Sequence, residues 1–249
     1  MGLQPLRHSG RTDSCSPLQV YLLGAVEFEA ALALQRLLVY QTAGERDRAA
    51  LVLCEHPPLI TVGRQGSWAH LLGEPEEQGW RRWPVRWVNR GGGCILHVPG
   101  QLAVYPVLPL DRLRLGVQEY LDQLQGVLLD VLDDFQIRGE VRPQRPGVWV
   151  GPRRIADIGV AVRDWVSYYG AVVNVSADLE LFRLVRGAPD EGPMTSLERE
   201  RRAPLRPALV RERLVEHFAA RFGFEQPALF FDHPLLARKT AAGALTTNS

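Results

Sequence analysis

The chain has 249 residues, of which 46% are hydrophobic, and its formal net charge is +1 at pH 7. Such a charge gives no long-range attraction toward nucleic acid or an anionic membrane, so we expect neither as a partner. No apolar run reaches the roughly 18 residues that a transmembrane helix needs.

The cysteines and the first residues predict a cytoplasmic protein. Cys15, Cys54 and Cys94 are odd in number and widely spaced, which favours a reducing compartment over a disulfide framework or a metal site. Residues 1–17 lack the apolar core of a secretory signal and are expected to form a flexible leader. A single domain over 18–230 and a flexible tail over 231–249 follow, because no linker is long enough to divide the chain.

Hydrophobic periodicity predicts an α+β fold built on a mixed sheet flanked by helices. Helical spacing occurs at 27–42, 117–135 and 208–222, with a short further helix at 178–184. Apolar runs bounded by turn residues predict strands at 18–23, 50–54, 59–62, 85–88, 102–107, 147–150, 155–162 and 165–175. The last three runs follow one another closely and are expected to pair as antiparallel hairpins.

A glycine-rich stretch interrupts this pattern at residues 90–101. Arg90 precedes three consecutive glycines, and His97 follows within a short apolar run. Glycines permit positive φ and let a ligand approach the backbone, so the stretch predicts a loop that wraps a ligand. The alternative is a hairpin with a solvated arginine. The dinucleotide and P-loop phosphate fingerprints are absent.

A series of short motifs runs in order along residues 18–225. They are Glu55-His56-Pro57-Pro58, Thr61-Val62-Gly63-Arg64, Arg90-Gly91-Gly92 with His97, Pro99-Gly100-Gln101, Gly147-Val148-Trp149-Val150, Arg153 to Gly159, Gly170 to Asn174, Asp178-Leu179 with Phe182, and Thr195-Ser196-Leu197. In order and spacing they resemble the lipoyl(octanoyl) transferases. The resemblance implies a fold like the catalytic domain of biotin and lipoate ligases, with a tunnel for an acyl chain.

The resemblance also implies a reaction and its partners. Octanoyl passes from octanoyl-acyl carrier protein to a cysteine, and then to a lysine of a lipoyl domain. Such domains belong to 2-oxoacid dehydrogenases or to the glycine-cleavage H protein. No cofactor and no metal are implied.

By the same resemblance, two residues are candidates for catalysis and three segments for substrate binding. The catalytic candidates are Arg154 and His97. The residues expected to line the acyl pocket are Arg90, Gly91, Gly92, Gly93, Cys94, Ile95, Leu96, His97, Asp157, Ile158, Gly159, Gly170, Ala171 and Val172.

The sequence departs from the family where the chemistry should occur. Arg154 stands at the usual lysine, and either alignment offset puts Gly187 or Ala188 at the usual nucleophilic cysteine. Neither of those two residues can carry an acyl group. A guanidinium stays protonated, so it can polarise a carbonyl but transfers protons poorly. Tyr169 also stands at a usual histidine.

Four side chains of this region have competing interpretations. Cys94 is either a relocated nucleophile or, as its burial in an apolar run favours, a small hydrophobic residue. His97 either orients the substrate carbonyl, acts as a general base, or is a structural imidazole. Arg90 is expected to support the glycine loop, and His56 to fix a turn next to two prolines.

Two functions remain open at this point. In the first, octanoyl passes directly from its thioester to the lipoyl-domain lysine, and proximity supplies the acceleration. Backbone N–H groups of the glycine loop would then stabilise the oxyanion. In the second, the chain is an inactive paralogue that binds an acyl group or a lipoyl domain. An ATP-using lipoate ligase is disfavoured, since no accessory domain is found.

Overall fold

The computed structural model describes residues 17–68, 83–143, 145–184 and 192–236. The expected leader, the nucleophile position at Gly187 or Ala188, and most of the expected tail lie outside the described residues.

The described residues form four α-helices, one 3₁₀ helix and eleven strands. The helices are α1 (Phe28–Gly44), α2 (Val117–Asp134), α3 (Leu197–Arg201) and α4 (Pro207–Phe222), and the 3₁₀ helix is Leu179–Leu184. The strands are β1 (Gln19–Ala25), β2 (Ala50–Glu55), β3 (Leu59–Val62), β4 (Val85–Trp87), β5 (Cys94–His97), β6 (Gln101–Val107), β7 (Glu140–Arg142), β8 (Arg145–Val150), β9 (Arg153–Arg163), β10 (Val166–Asn174) and β11 (Ala228–Phe230). None of the described helices is long and apolar enough to cross a membrane.

The strands build one large mixed sheet and one small sheet. The large sheet has the order β11-β1-β2-β6-β10-β9-β8-β7, and the small sheet has the order β4-β3-β5. In the large sheet β1 is parallel to β2 and to β11, while the other neighbours are antiparallel. The predicted mixed sheet and the predicted hairpins of β8, β9 and β10 are therefore confirmed.

Alternating side chains of the central strands bury both faces of the large sheet. On β6, Leu102 and Val104 pack into the core that holds α2 and α4. Their neighbours Ala103 and Tyr105 point the other way, into a second core with α1. This period of two residues explains why β6 reads as one continuous apolar run.

Three predicted helices and all eight predicted strands are confirmed, with ends shifted by at most two residues. The short helix expected at 178–184 is the 3₁₀ helix. Four elements were not predicted: β5, β7, β11 and α3. Each has three to five residues, too few for periodicity to be recognised. In particular, residues 94–97 form a strand that pairs with β3, rather than continuing the glycine loop.

Candidate functional site

A small cavity lies where β5 of the small sheet approaches β9 and β10 of the large one. Its lining residues are Phe28, Thr61, Arg90, Ile95, His97, Tyr105, Gly159, Tyr169, Gly170 and Val172. Its volume is about 10 Å³, which is about the space that one water molecule needs. A ligand pocket usually measures roughly 300–1,000 Å³. An acyl chain can therefore enter only if side chains move.

Six of the residues expected to line a pocket do line this cavity. They are Arg90, Ile95, His97, Gly159, Gly170 and Val172. Four other residues of that prediction do not line this cavity, because strand alternation turns their side chains away. Cys94 and Leu96 pack against the Ile60 cluster behind β5, and Ile158 and Ala171 face the main core. Gly91, Gly92, Gly93 and Asp157 lie beside the cavity without lining it.

Arg90 holds the glycine loop from inside the protein. Its guanidinium donates to the carbonyls of Gly91 and Gly93 at 2.9 and 3.1 Å, and to the carbonyl and hydroxyl of Thr61 at 2.9 and 2.8 Å. The side chain is buried, and burial lowers the pKa of Arg90 to about 10. It is therefore charged at neutral pH. The expected supporting role of Arg90 agrees with these contacts, and a solvated surface arginine is excluded.

His97 is a buried neutral imidazole at the centre of the cavity. Burial, followed by the nearby His56 and Arg90, holds the pKa of His97 well below its usual 6.5. Its Nε2 lies 3.0 Å from the Thr61 hydroxyl, which also accepts from Arg90. With hydrogen on Nδ1 of His97, Thr61 donates to Nε2. Thr61 is therefore a structural partner of the His97 imidazole. The catalytic role predicted for His97 stays a prediction.

His56 joins three elements rather than only fixing a turn. Its Nδ1 lies 2.7 Å from the carbonyl of Val26, an acceptor, so Nδ1 must donate. Its Nε2 then accepts from the Tyr105 hydroxyl at 2.8 Å. Burial lowers the pKa of His56, so the imidazole is neutral and can keep this pair of hydrogen bonds. Tyr105 is in this way fixed as one wall of the cavity.

The glycines near the cavity serve protein packing more than ligand approach. A Cβ on Gly159 would lie 2.7 Å from the Gly91 carbonyl oxygen, and one on Gly170 would lie 2.1 Å from the Val104 carbonyl oxygen. Gly92 has a φ of +78°, a conformation that favours glycine. Gly93, in contrast, has nothing within 4 Å of a Cβ position. The N–H of Gly91 donates to Val160, so it is not available to stabilise an oxyanion.

Arg154 lies at the start of β9 and is paired with a carboxylate. Its Nε is 3.1 Å from Asp157 Oδ1, and the two side chains are only 13% and 10% exposed. The same Nε lies 3.3 Å from the sulfur of Met194, whose backbone bridges to Arg154. Asp157 therefore offsets the positive charge of Arg154.

Neither of the two cysteines in the described residues is prepared to act as a nucleophile. Cys54 is fully buried, and burial raises the pKa of its thiol well above the usual range. The Cys94 thiol lies on the side of β5 away from the cavity, 3.9 Å from the carbonyl of Ser67. These positions agree with Cys94 as a small hydrophobic residue. No group of three or more potential metal ligands occurs within residues 17–68, 83–143, 145–184 and 192–236.

Sequence reasoning did not assign four lining residues to the site. Phe28, Thr61, Tyr105 and Tyr169 complete the cavity. Thr61 lies within one of the family motifs, which was an available signal. Phe28 and Tyr105 read as ordinary apolar positions of a helix and a strand, and nothing in their spacing marks a site.

Comparisons with known proteins agree with this architecture. The family described as the lipoyl protein ligase A/B catalytic domain matches residues 27–219. An octanoyltransferase of Syntrophobacter fumaroxidans is 37% identical over 178 residues, which cover 71% of this chain and 78% of that protein.

Two solved structures are similar in fold. Lipoate-protein ligase A bound with ATP aligns with a TM-score of 0.66 at 14% identity, covering 93% of this chain and 97% of that one. Biotin protein ligase from Leishmania major, in complex with biotinyl-5-AMP, aligns with a TM-score of 0.52 at 11% identity, covering 93% and 84%. The predicted fold class is therefore confirmed. The chain belongs to the lipoyl protein ligase A/B catalytic domain family, in its octanoyltransferase group.

Proposed function

We propose that this protein transfers an octanoyl group directly from acyl carrier protein to a lipoyl-domain lysine, without an acyl-cysteine intermediate. The acceptor would be a lipoyl domain of a 2-oxoacid dehydrogenase or the glycine-cleavage H protein. Family membership and the name of the bacterial relative support octanoyl transfer. The absence of cysteine at residues 186–189 supports the direct route.

The chemistry of the direct route needs one bond to form and one to break. The neutral lysine nitrogen attacks the thioester carbonyl, and the carbon–sulfur bond then breaks. The carrier protein leaves as a thiolate, which takes up the proton released by the nitrogen. The products are an octanoyl amide and a free thiol. Alignment of the two reacting groups can supply much of the acceleration.

The observation that carries this proposal is the position of Arg154. It is a guanidinium with little exposure, at the outer end of β9, on the strand whose Gly159 lines the cavity. Its N–H groups can stabilise the tetrahedral oxyanion as charge develops. It cannot serve as the base, because a guanidinium does not lose its proton near neutral pH. The incoming lysine must therefore lose its proton to another group before it attacks.

Transfer is tested by incubating the protein with octanoyl-acyl carrier protein and an apo lipoyl domain. We expect the mass of the domain to increase by one octanoyl group above a control without the protein. Denaturing mass spectrometry of the protein should find no covalent acyl group. The variant Cys94→Ser should transfer at the same rate, because its thiol does not face the cavity. An acylated protein, or a rate that depends on Cys94, would contradict the direct route.

The binding-only alternative has support of its own. The small volume of the cavity and the pairing of Arg154 with Asp157 both suit a protein that has lost turnover. Measurable binding of the apo lipoyl domain, together with no mass increase after prolonged incubation, would favour this alternative and end the transferase proposal.

A further inference from the structure

Tyr169 is unusual for a residue inside a strand. Its φ is +56°, which is uncommon for a bulky side chain. Regular alternation would place it on the core face together with Ala171 and Val173. Instead the ring lies on the cavity face, where it packs with Phe28 and Ala161. The strained backbone thus turns a large ring into the cavity.

Several contacts hold Tyr169 in this conformation. Its N–H donates to the buried Gln35 side chain at 2.8 Å. Its ring lies 4.9 Å from that of Tyr168, and the Asn89 backbone forms a hydrogen bond with its hydroxyl. Strain of this kind persists only when the surroundings compensate for it. The ring is therefore an integral wall of the cavity.

The register of β9 and β10 places Tyr169 far from Arg154. Opposite one another stand Asp157 and Val172, then Gly159 and Gly170, and then Val160 and Tyr169. The Arg154 side chain reaches Asp157, and Asp157 is three residues from Val160 on β9, which is roughly 10 Å in an extended strand and comparable to an extended octanoyl chain. We call this row, from Arg154 to Tyr169, the β9–β10 lane.

An acyl chain whose carbonyl lies at Arg154 would point its methyl end along the β9–β10 lane toward Tyr169. Midway along the lane, Gly159 and Gly170 have no side chains, so only backbone borders the lane there. At the end of the lane stands the ring of Tyr169. That ring, with the other lining side chains, leaves only about 10 Å³. We propose that the Tyr169 ring is the end stop of the lane and sets the longest acyl chain that the protein accepts. This inference rests on the proposed acyl-transfer function.

Binding of straight-chain fatty acids to the full chain tests the role of Tyr169 without turnover. The probes are octanoate, decanoate and dodecanoate, and the measurement is calorimetry. In Tyr169→Leu we expect the affinity for decanoate relative to octanoate to rise about tenfold, because two more methylenes become buried. Tyr169→Phe keeps the ring and loses the hydroxyl, so its ratio should match that of the unchanged protein. Tyr169→His, which tolerates positive φ better, should give a smaller shift in the direction of Leu.

Three outcomes would overturn the proposal. They are an unchanged decanoate ratio in both Tyr169→Leu and Tyr169→His, an equal shift in Tyr169→Phe, and no fatty-acid binding by any form. Thermal melting shows whether a variant is folded. If Tyr169→Leu does not fold, the decanoate ratio of Tyr169→His decides whether the proposal holds. Failure of the transfer proposal is distinguishable. A shifted ratio without octanoylation of the lipoyl domain leaves Tyr169 as the end stop and ends only the transferase role.

Discussion

Two arginines lie along the β9–β10 lane, and their guanidinium groups differ in their hydrogen-bond partners. Arg90 is buried beside the inner part of the lane, which runs from Gly159 to Tyr169, and it donates to neutral oxygens of Thr61 and the glycine loop while the Asp157 carboxylate acts on it only through its charge. At the outer end Arg154 is paired with the carboxylate of Asp157. The Arg90 guanidinium therefore holds backbone carbonyls in place, whereas the Arg154 guanidinium forms an ion pair. The sequence alone therefore does not show whether an arginine of this region holds backbone or forms an ion pair.

Replacing Arg90 should have the largest effect on stability. Arg90→Met removes four buried hydrogen bonds, those to the carbonyls of Thr61, Gly91 and Gly93 and to the Thr61 hydroxyl, so we expect a loss of about 3–5 kcal/mol in the free energy of unfolding. Arg154→Met should cost less, about 1–3 kcal/mol, because Asp157 still interacts with the positive charge of Arg90. Urea unfolding measures both. The exposed Arg163→Met is the control, with less than about 0.5 kcal/mol expected. An equal loss at Arg90 and Arg154 would break the comparison.

Gly159 and Gly93, beside the inner part of the lane, should differ in how far their replacement lowers stability. Gly159→Ala introduces a Cβ that meets the Gly91 carbonyl oxygen at 2.7 Å and the Arg90 side chain at 2.9 Å. Neither group can retreat easily, so we expect a destabilisation of about 1–3 kcal/mol. Gly93→Ala meets nothing within 4 Å and should change stability by less than about 0.5 kcal/mol. If both variants lost the same stability, the packing role assigned to Gly159 would be wrong.

A third expected effect is a dependence of stability on pH. His56 and His97 have lowered pKa values in the fold, whereas an unfolded histidine binds a proton near pH 6.5. Below about pH 6.5 the unfolded state binds more protons than the folded state. The free energy of unfolding therefore decreases as the pH is lowered, by up to about 1.4 kcal/mol per pH unit for each histidine.

Urea unfolding of the variant His97→Gln at several pH values checks this dependence. The slope between pH 6.5 and 5 should become shallower by about one histidine's contribution. A slope that stays the same would mean that the pKa of His97 is not lowered in the folded protein. The assignment of a neutral imidazole beside the cavity would then be wrong.

Much of the fold could be predicted because it depends on local pattern. The apolar runs of β2 and β6, and the helical spacing of α2, locate those elements to within one residue. The motif order identified the family, and with it the fold. The elements that escaped, such as β5, are too short for periodicity and exist because a neighbouring strand pairs with them.

The candidate site divides in the same way between the two sources. Sequence alone determined that an arginine, three glycines and a histidine lie together near residue 90, and that no cysteine stands at residues 186–189. Only the tertiary structure decided that Cys94 and Leu96 face away, that Asp157 offsets Arg154, and that the Tyr169 ring fills the end of the lane. The reason is physical, because side-chain direction depends on strand register and on a single positive φ, and neither is visible in the order of residues.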